Sequence, residues 1–150
     1  MLRFENKIVS IALPDGWQDN SDDDTLSYAN PDIGEELSLS FGSLAEDVGP
    51  SQLPTIVRRL IEHRAVALGK ASDGKFSLTD TTQSRGKIPC VATISGIDHT
   101  NSIYALTSIT CYTTHFVSIS YYRHRCSVAT PEIISAANIS IGTCHVKGTA

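Results

Sequence analysis

One stretch of this chain has a helical period, and most of what surrounds it alternates. From Ser51 to Leu68 the apolar residues Leu53, Ile56, Val57, Leu60, Ile61, Ala65 and Leu68 recur at helical spacing, with Arg58, Arg59, Glu62 and His63 on the opposite side. That spacing gathers the apolar side chains into one stripe, which has to be buried against another apolar surface. Ser51 or a neighbour is expected to cap the helix, Pro54 is tolerated in its first turn, and Gly69 stands where it should stop.

The surface for that stripe is read from the alternating segments. Phe4 to Leu13 reads as one strand, with Val9, Ile11 and Leu13 on one face and Phe4 and Ile8 on the other, ended by the turn Pro14-Asp15-Gly16. Leu26 to Phe41 is expected to form a hairpin through ANPDIGEE, and in LSLSF the residues Leu37, Leu39 and Phe41 point inward while the serines point outward. The sheet should therefore have one covered face and one wetter face. Phe76–Asp80, Lys87–Ile97, Ile103–Cys111 and Phe116–Arg123 read as four successive antiparallel strands, joined by short turns at Asp98–Ser102 and Tyr112–His115. In the last of them Val117, Ile119 and Tyr121 are the expected core face. Thr130-Pro131-Glu132 opens a closing helix that carries Ile133, Ile134 and Ala137, and KGTA is expected to fray. Strands, a long helix, antiparallel strands and a short helix define an α+β single domain over residues 1–150, a central antiparallel sheet flanked by one long and one short helix.

Charge is distributed unevenly. Between Ile8 and Val57 there is no Lys or Arg, while Asp15, Asp19, Asp22, Asp23, Asp24, Asp32, Glu35, Glu36, Glu46 and Asp47 all lie there; the rest of the chain is mildly basic, and the net charge is −4. An acid block attracts cations and basic proteins and repels nucleic acid. No apolar run approaches the length of a membrane span, and no apolar leader opens the sequence, so a soluble cytosolic protein is expected. Cys90, Cys111, Cys126 and Cys144 have no CxxC spacing and read as reduced thiols, with Cys90 and Cys111 as small core residues.

Chemistry-bearing motifs are incomplete. Asp19, Ser21 and Asp23 imitate the start of a calcium loop, but Asp24 occupies the glycine position and Asn30 the position of the bidentate Glu, so a solvated or partner-facing loop is preferred and no metal is expected. There is no GxSxG, no phosphate loop and no dinucleotide fingerprint. The adjacent Cys144 and His145 do not make a dyad, and His63, His99, His115 and His124 are scattered. Arg58, Arg59, His63 and Arg64 read as a solvated helix side in preference to an anion site, and YYRHR, residues 121–125, as a strand end whose arginines reach water or the acid block.

With the opening LPDGWQDNS (Leu13, Pro14, Gly16, Trp17, Asp19, Ser21), the strand LSLSF, the helix LPTIVRRLIEHRAVAL, the strand GKIPCVATISGID, its hairpin partner and a closing helix, the chain resembles the PsbP-like, DcrB-like superfamily over nearly its whole length. The resemblance implies a non-enzymatic α/β/α sandwich that serves as a binding scaffold without cofactor. It further implies kinship with Eag-type chaperones of type VI secretion effectors and with immunity proteins beside secreted toxins. Chaperones of that type continue the opening with an Asn-Ile-Phe-like stretch, where this chain has Asp22, Asp23, Asp24 and Thr25. The expectation is therefore an immunity protein for a cognate toxin, with an effector chaperone as the alternative. The expected contact residues are Trp17, Asp19, Asp22, Asp23, Asp24, Tyr28, Glu35 and Glu36. No nucleic acid or membrane partner is expected, and a homodimer is left open.

Overall fold

The protein is described here as a computed structural model covering residues 1–46, 48–84 and 88–148. The long helix α1 runs from Leu53 to Ala71 and buries Leu53, Val57, Ile61 and Leu68, as the period requires. A 3-10 turn at Pro50–Gln52 precedes it, and the capping residue is Gln52, the neighbour of Ser51; the Gln52 side chain accepts the Gly49 N–H at 2.8 Å. Its exit is later than the sequence expectation. The helix passes through Gly69, and the chain reverses at Gly74, whose φ of +77° suits glycine and whose N–H donates to the Gly69 carbonyl at 2.7 Å.

Seven strands form the main antiparallel sheet: β3 (Gln18–Asp19), β4 (Leu26–Asn30), β5 (Glu35–Ser43), β6 (Phe76–Gln83), β7 (Cys90–Asp98), β8 (Ile103–Cys111) and β9 (His115–His124). They lie in the order β3-β4-β5-β9-β8-β7-β6. The β4–β5 hairpin and the β7–β8–β9 meander are those the turn residues implied, while Lys87 lies outside the described residues. The closing helix α2 spans Pro131–Gly142, and the Thr130 hydroxyl accepts the Ile133 N–H at 3.3 Å as its cap.

The opening segment is a correction. Phe4 to Leu13 is not one strand but a hairpin of β1 (Leu2–Glu5) and β2 (Val9–Leu13), because the Asn6 side chain accepts the N–H groups of Ile8 and Val9 at 2.8 and 2.7 Å and reverses the chain. A short strand β10 (Cys144–Val146) pairs with β2, so β1, β2 and β10 make a second, three-stranded sheet.

Two cores follow from this layering. On one face of the main sheet, α1 packs on β7 and β8 through Leu53, Val57 and Ile61 against Cys90, Ala92, Ile94, Ala105 and Ile109. The small sheet and α2 cover the other face, burying Val9, Ile11, Leu13 and Trp17 against Tyr28, Leu37, Leu39, Val117, Ile119 and Tyr121. The serines of LSLSF point to the α1 side, where the helix sits over β7–β8 and leaves the β5–β9 surface partly open. Among the described residues no helix is long and apolar enough to cross a membrane.

Candidate functional site

The acid block is not a single surface. Glu35 and Glu36 meet basic residues of this chain. Glu35 is 7% exposed, and its carboxylate accepts the Tyr121 hydroxyl at 2.6 Å, lies 3.8 Å from the Arg123 guanidinium and takes a long 3.4 Å bond from the Asn30 amide. Strand register explains the meeting, since Glu35 pairs with Arg123 and Leu37 with Tyr121 across β5 and β9. Glu36 stays exposed with His124 Nε2 3.1 Å from its carboxylate, although the imidazole lacks the alignment of a hydrogen bond. The YYRHR strand end therefore meets the acid block, as one of its two sequence readings had it.

Three expected contact residues are corrected by burial. Tyr28 is fully enclosed between the sheets, Trp17 retains 8% exposure as the anchor of the Pro14–Gly16 turn, and Glu35 belongs to the interior cluster above. None of the three can present itself to a partner without unfolding its surroundings. The Tyr28 hydroxyl has no hydrogen-bond partner among the described residues, and burial together with the nearby Asp19 carboxylate raises its pKa.

What remains at the surface is the loop between β3 and β4. Asp19, Asp22, Asp23 and Asp24 are exposed, and none takes part in an ion pair among the described residues. The loop is built by its own carboxylates: Asp19 accepts the Ser21 N–H at 2.8 Å, and Asp22 accepts those of Asp24 and Thr25 at 2.9 and 2.8 Å. Hydrogen bonds from the Ser21 side chain and backbone hold the Asp19 carboxyl below its ordinary range. These are turn-forming contacts, and they spread the carboxylates instead of converging them. Among the described residues no three His, Cys, Asp or Glu side chains gather as a metal site.

The adjacent Cys144 and His145 are not brought together as a dyad. Cys144 and His145 neighbour each other in β10, so their side chains point to opposite sides, the thiol buried and the imidazole exposed. Burial pushes the Cys144 thiol up to about 11, so the reactive thiolate is scarce at neutral pH.

Two concave regions were not foreseen in the sequence. A cleft of about 490 Å³ lies between α2 and the β6–β7–β8 half of the sheet, with Leu106, Ile134 and Ile141 as its apolar wall and Asp80, Ser95 and Asn138 among its polar groups. A second groove of about 370 Å³ runs beside α1 over β5 and β9. It contains Arg64, expected on a solvated helix side with Arg58, Arg59 and His63. Arg64 turns inward and donates from Nε to the Thr107 hydroxyl at 3.0 Å and from Nη2 to the Tyr122 hydroxyl, whereas Arg58 stays exposed beside Glu62. The signal was in the sequence: Arg64 stands three residues after Ile61 and four before Leu68, so helical spacing sets it within the apolar stripe and apart from Arg58 and Arg59.

No protein-family model matches the sequence, and no curated protein matches it either. Among solved structures, the chain is similar to cyanobacterial PsbP (CyanoP) from Synechocystis sp. PCC 6803, at a TM-score of 0.69 and 15% identity, covering 97% of this chain and 92% of that one. A Bacteroides thetaiotaomicron protein aligns at a TM-score of 0.44 and 11% identity over 93% of this chain and 45% of that one. The first likeness establishes a PsbP-like fold.

Proposed function

We propose that this protein is a non-catalytic cytoplasmic immunity protein that binds and neutralises a cognate bacterial toxin of the type VI secretion kind through the loop carrying Asp19, Asp22, Asp23 and Asp24. The observation that supports it most is the contrast within the acid block. Glu35 and Glu36 face basic groups of this chain, whereas the loop aspartates are exposed and outside every ion pair among the described residues. Carboxylates placed this way raise the on-rate for a basic partner and select against acidic ones. The contact set is therefore narrowed from the sequence expectation to Asp19, Asp22, Asp23 and Asp24, with Glu36 at its margin.

The test is the affinity for the neighbouring gene's product as salt is raised. Replacing Asp22, Asp23 and Asp24 together by Asn is expected to weaken binding by about tenfold or more and to flatten the salt dependence, since charges at an interface rim act chiefly through encounter. A dissociation constant that moves with neither salt nor the triple replacement would overturn the proposal.

The alternative, an Eag-like effector chaperone, draws on a different feature. The apolar wall of the α2 cleft, with Ile134 39% exposed, suits an apolar segment. Such a partner would co-purify with little response to salt, and Ile134→Asp would release it while the aspartate replacements would not.

A further inference from the structure

The groove beside α1 is organised by hydrogen bonds from Arg64. Thr107 is fully buried; its hydroxyl oxygen accepts from Arg64 Nε at 3.0 Å and shares a hydrogen bond with the Ser120 hydroxyl, 2.8 Å away. Ser120 lines the groove and is tied through Thr107 to the guanidinium. Tyr122 lines it too, and its oxygen accepts from Arg64 Nη2, leaving its O–H to donate. Arg64 has five N–H donors and commits one from Nε and one from Nη2 to these hydroxyls, which leaves three.

Around this core stand further polar groups. Register places Ser38 opposite Ser120 and Ser40 opposite Ser118, so the serines form a square on the open part of the sheet, with His63 lining the same groove from α1. Phe116 and Leu60 supply an apolar wall. Among the described residues no carboxylate belongs to this lining and Arg64 is in no ion pair. Arg64 is thus a partly buried guanidinium whose described partners are all neutral, the two hydroxyls and the Tyr122 ring 5.7 Å from its Cζ, and it keeps N–H donors to spare.

The geometry points to a binding site for a small ligand with an oxyanion head, a phosphate or a carboxylate, held by Arg64, Tyr122 and Ser120 and flanked by Ser40, Ser118 and His63. The volume of about 370 Å³ falls in the range of small-molecule sites, roughly 300–1,000 Å³. Charge-assisted hydrogen bonds from a guanidinium fork supply the affinity, and the hydroxyls fix orientation. The site is separate from the acidic loop, which joins β3 and β4, and stands without any reading of that loop.

The experiment is an NMR titration of the intact protein with inorganic phosphate and, separately, with acetate, at constant ionic strength. Saturable shifts concentrated at the Arg64 guanidinium and the amides of Ser40, Ser118 and Ser120 are expected. A stronger response to phosphate assigns a phosphorylated ligand, and a stronger response to acetate a carboxylate one. Arg64→Gln should weaken binding at least about tenfold, the worth of one charge-assisted hydrogen bond. Because Arg64 also ties α1 to the sheet, Ser118→Asp is the second variant: it keeps the guanidinium but supplies it with a carboxylate, and should abolish anion binding while the protein stays folded. The proposal is overturned if neither anion gives a saturable shift, if the shifts gather at Arg58 and Arg59 instead, or if the affinity survives Ser118→Asp.

Discussion

Replacing Glu35 by alanine is expected to lower the stability of the fold by about 3 kcal/mol, the lower end of what removing one partner of a buried ion pair costs. Three groups depend on that carboxylate: the Tyr121 hydroxyl, the Arg123 guanidinium and the Asn30 amide. Tyr121 is fully buried and has no other acceptor for its proton among the described residues, so its hydroxyl would be stranded in the core. Arg123 keeps a quarter of its side chain in solvent and can turn outward, which holds the cost below the top of the range. Tyr121→Phe should cost about 1–2 kcal/mol on its own, and the double variant less than the sum, because both remove the same hydrogen bond. Urea midpoints at unchanged slope measure all three. The triple Asn replacement at Asp22, Asp23 and Asp24 should shift the midpoint by less than about 0.5 kcal/mol equivalent, as surface changes do. A Glu35→Ala midpoint that moved as little would mean that the interior cluster contributes no stability.

A second large effect is expected on the alkaline side. Burial raises the Cys111 thiol from 9.0 to about 11, with the facing Cys90 adding to the shift, and burial raises the Cys144 thiol to about 11 as well. Tyr121 is raised by burial first and then by its bond to Glu35, and burial also raises Tyr104 and Tyr28. In each case the folded protein holds its proton more tightly than the unfolded chain. Stability is therefore complete below the ordinary thiol pKa and is lost as pH climbs from about 9 toward 11, where the unfolded chain has released protons that the folded one retains. At about 1.4 kcal/mol per unit, two thiols raised by roughly two units forfeit on the order of 5 kcal/mol by pH 11, with the tyrosines adding to it above pH 10. That rivals the whole stability of an ordinary domain, about 5–15 kcal/mol. The urea midpoint should be flat through neutrality and fall steeply above pH 9, with the tyrosinate absorbance of Tyr28, Tyr104 and Tyr121 appearing as the protein unfolds. Cys111→Ala should delay the fall relative to its own neutral-pH stability. A midpoint unchanged to pH 11 would show that the thiols are not enclosed as described.

How much could be read beforehand depended on whether the evidence was local. The α1 stripe, the β4–β5 hairpin, the core face of β9 and the cap of α2 all follow from periodicity and turn chemistry within a few residues. Trp17 stands directly after a turn, the place of an anchor, and burial puts it in the core and not at the contact surface expected of it. Asn6 was not recognised as a turn former, so one strand was expected where a hairpin stands. The strand β10 was invisible because three residues carry no period, and its partner β2 lies far away in sequence. Tyr28 and Glu35 were expected at a surface because the acid block was read as one field, whereas strand pairing brings Arg123 and Tyr121 onto Glu35 from residues distant in the chain.

The sequence by itself determined the order of elements, the sides on which the apolar residues fall and the concentration of acid in the first third, since hydrophobic period, turn propensity and charge are properties of neighbours along the chain. Only the tertiary structure decided which charges stay exposed. Cross-strand register satisfies Glu35 internally and leaves the Asp22–Asp24 loop open, and the seat of α1 gives Arg64, which helical spacing already turns toward the sheet, the Thr107 and Tyr122 hydroxyls as partners while Arg58 remains in water. The period of a helix sets which way a side chain points, but what it meets there is set by residues dozens of positions away.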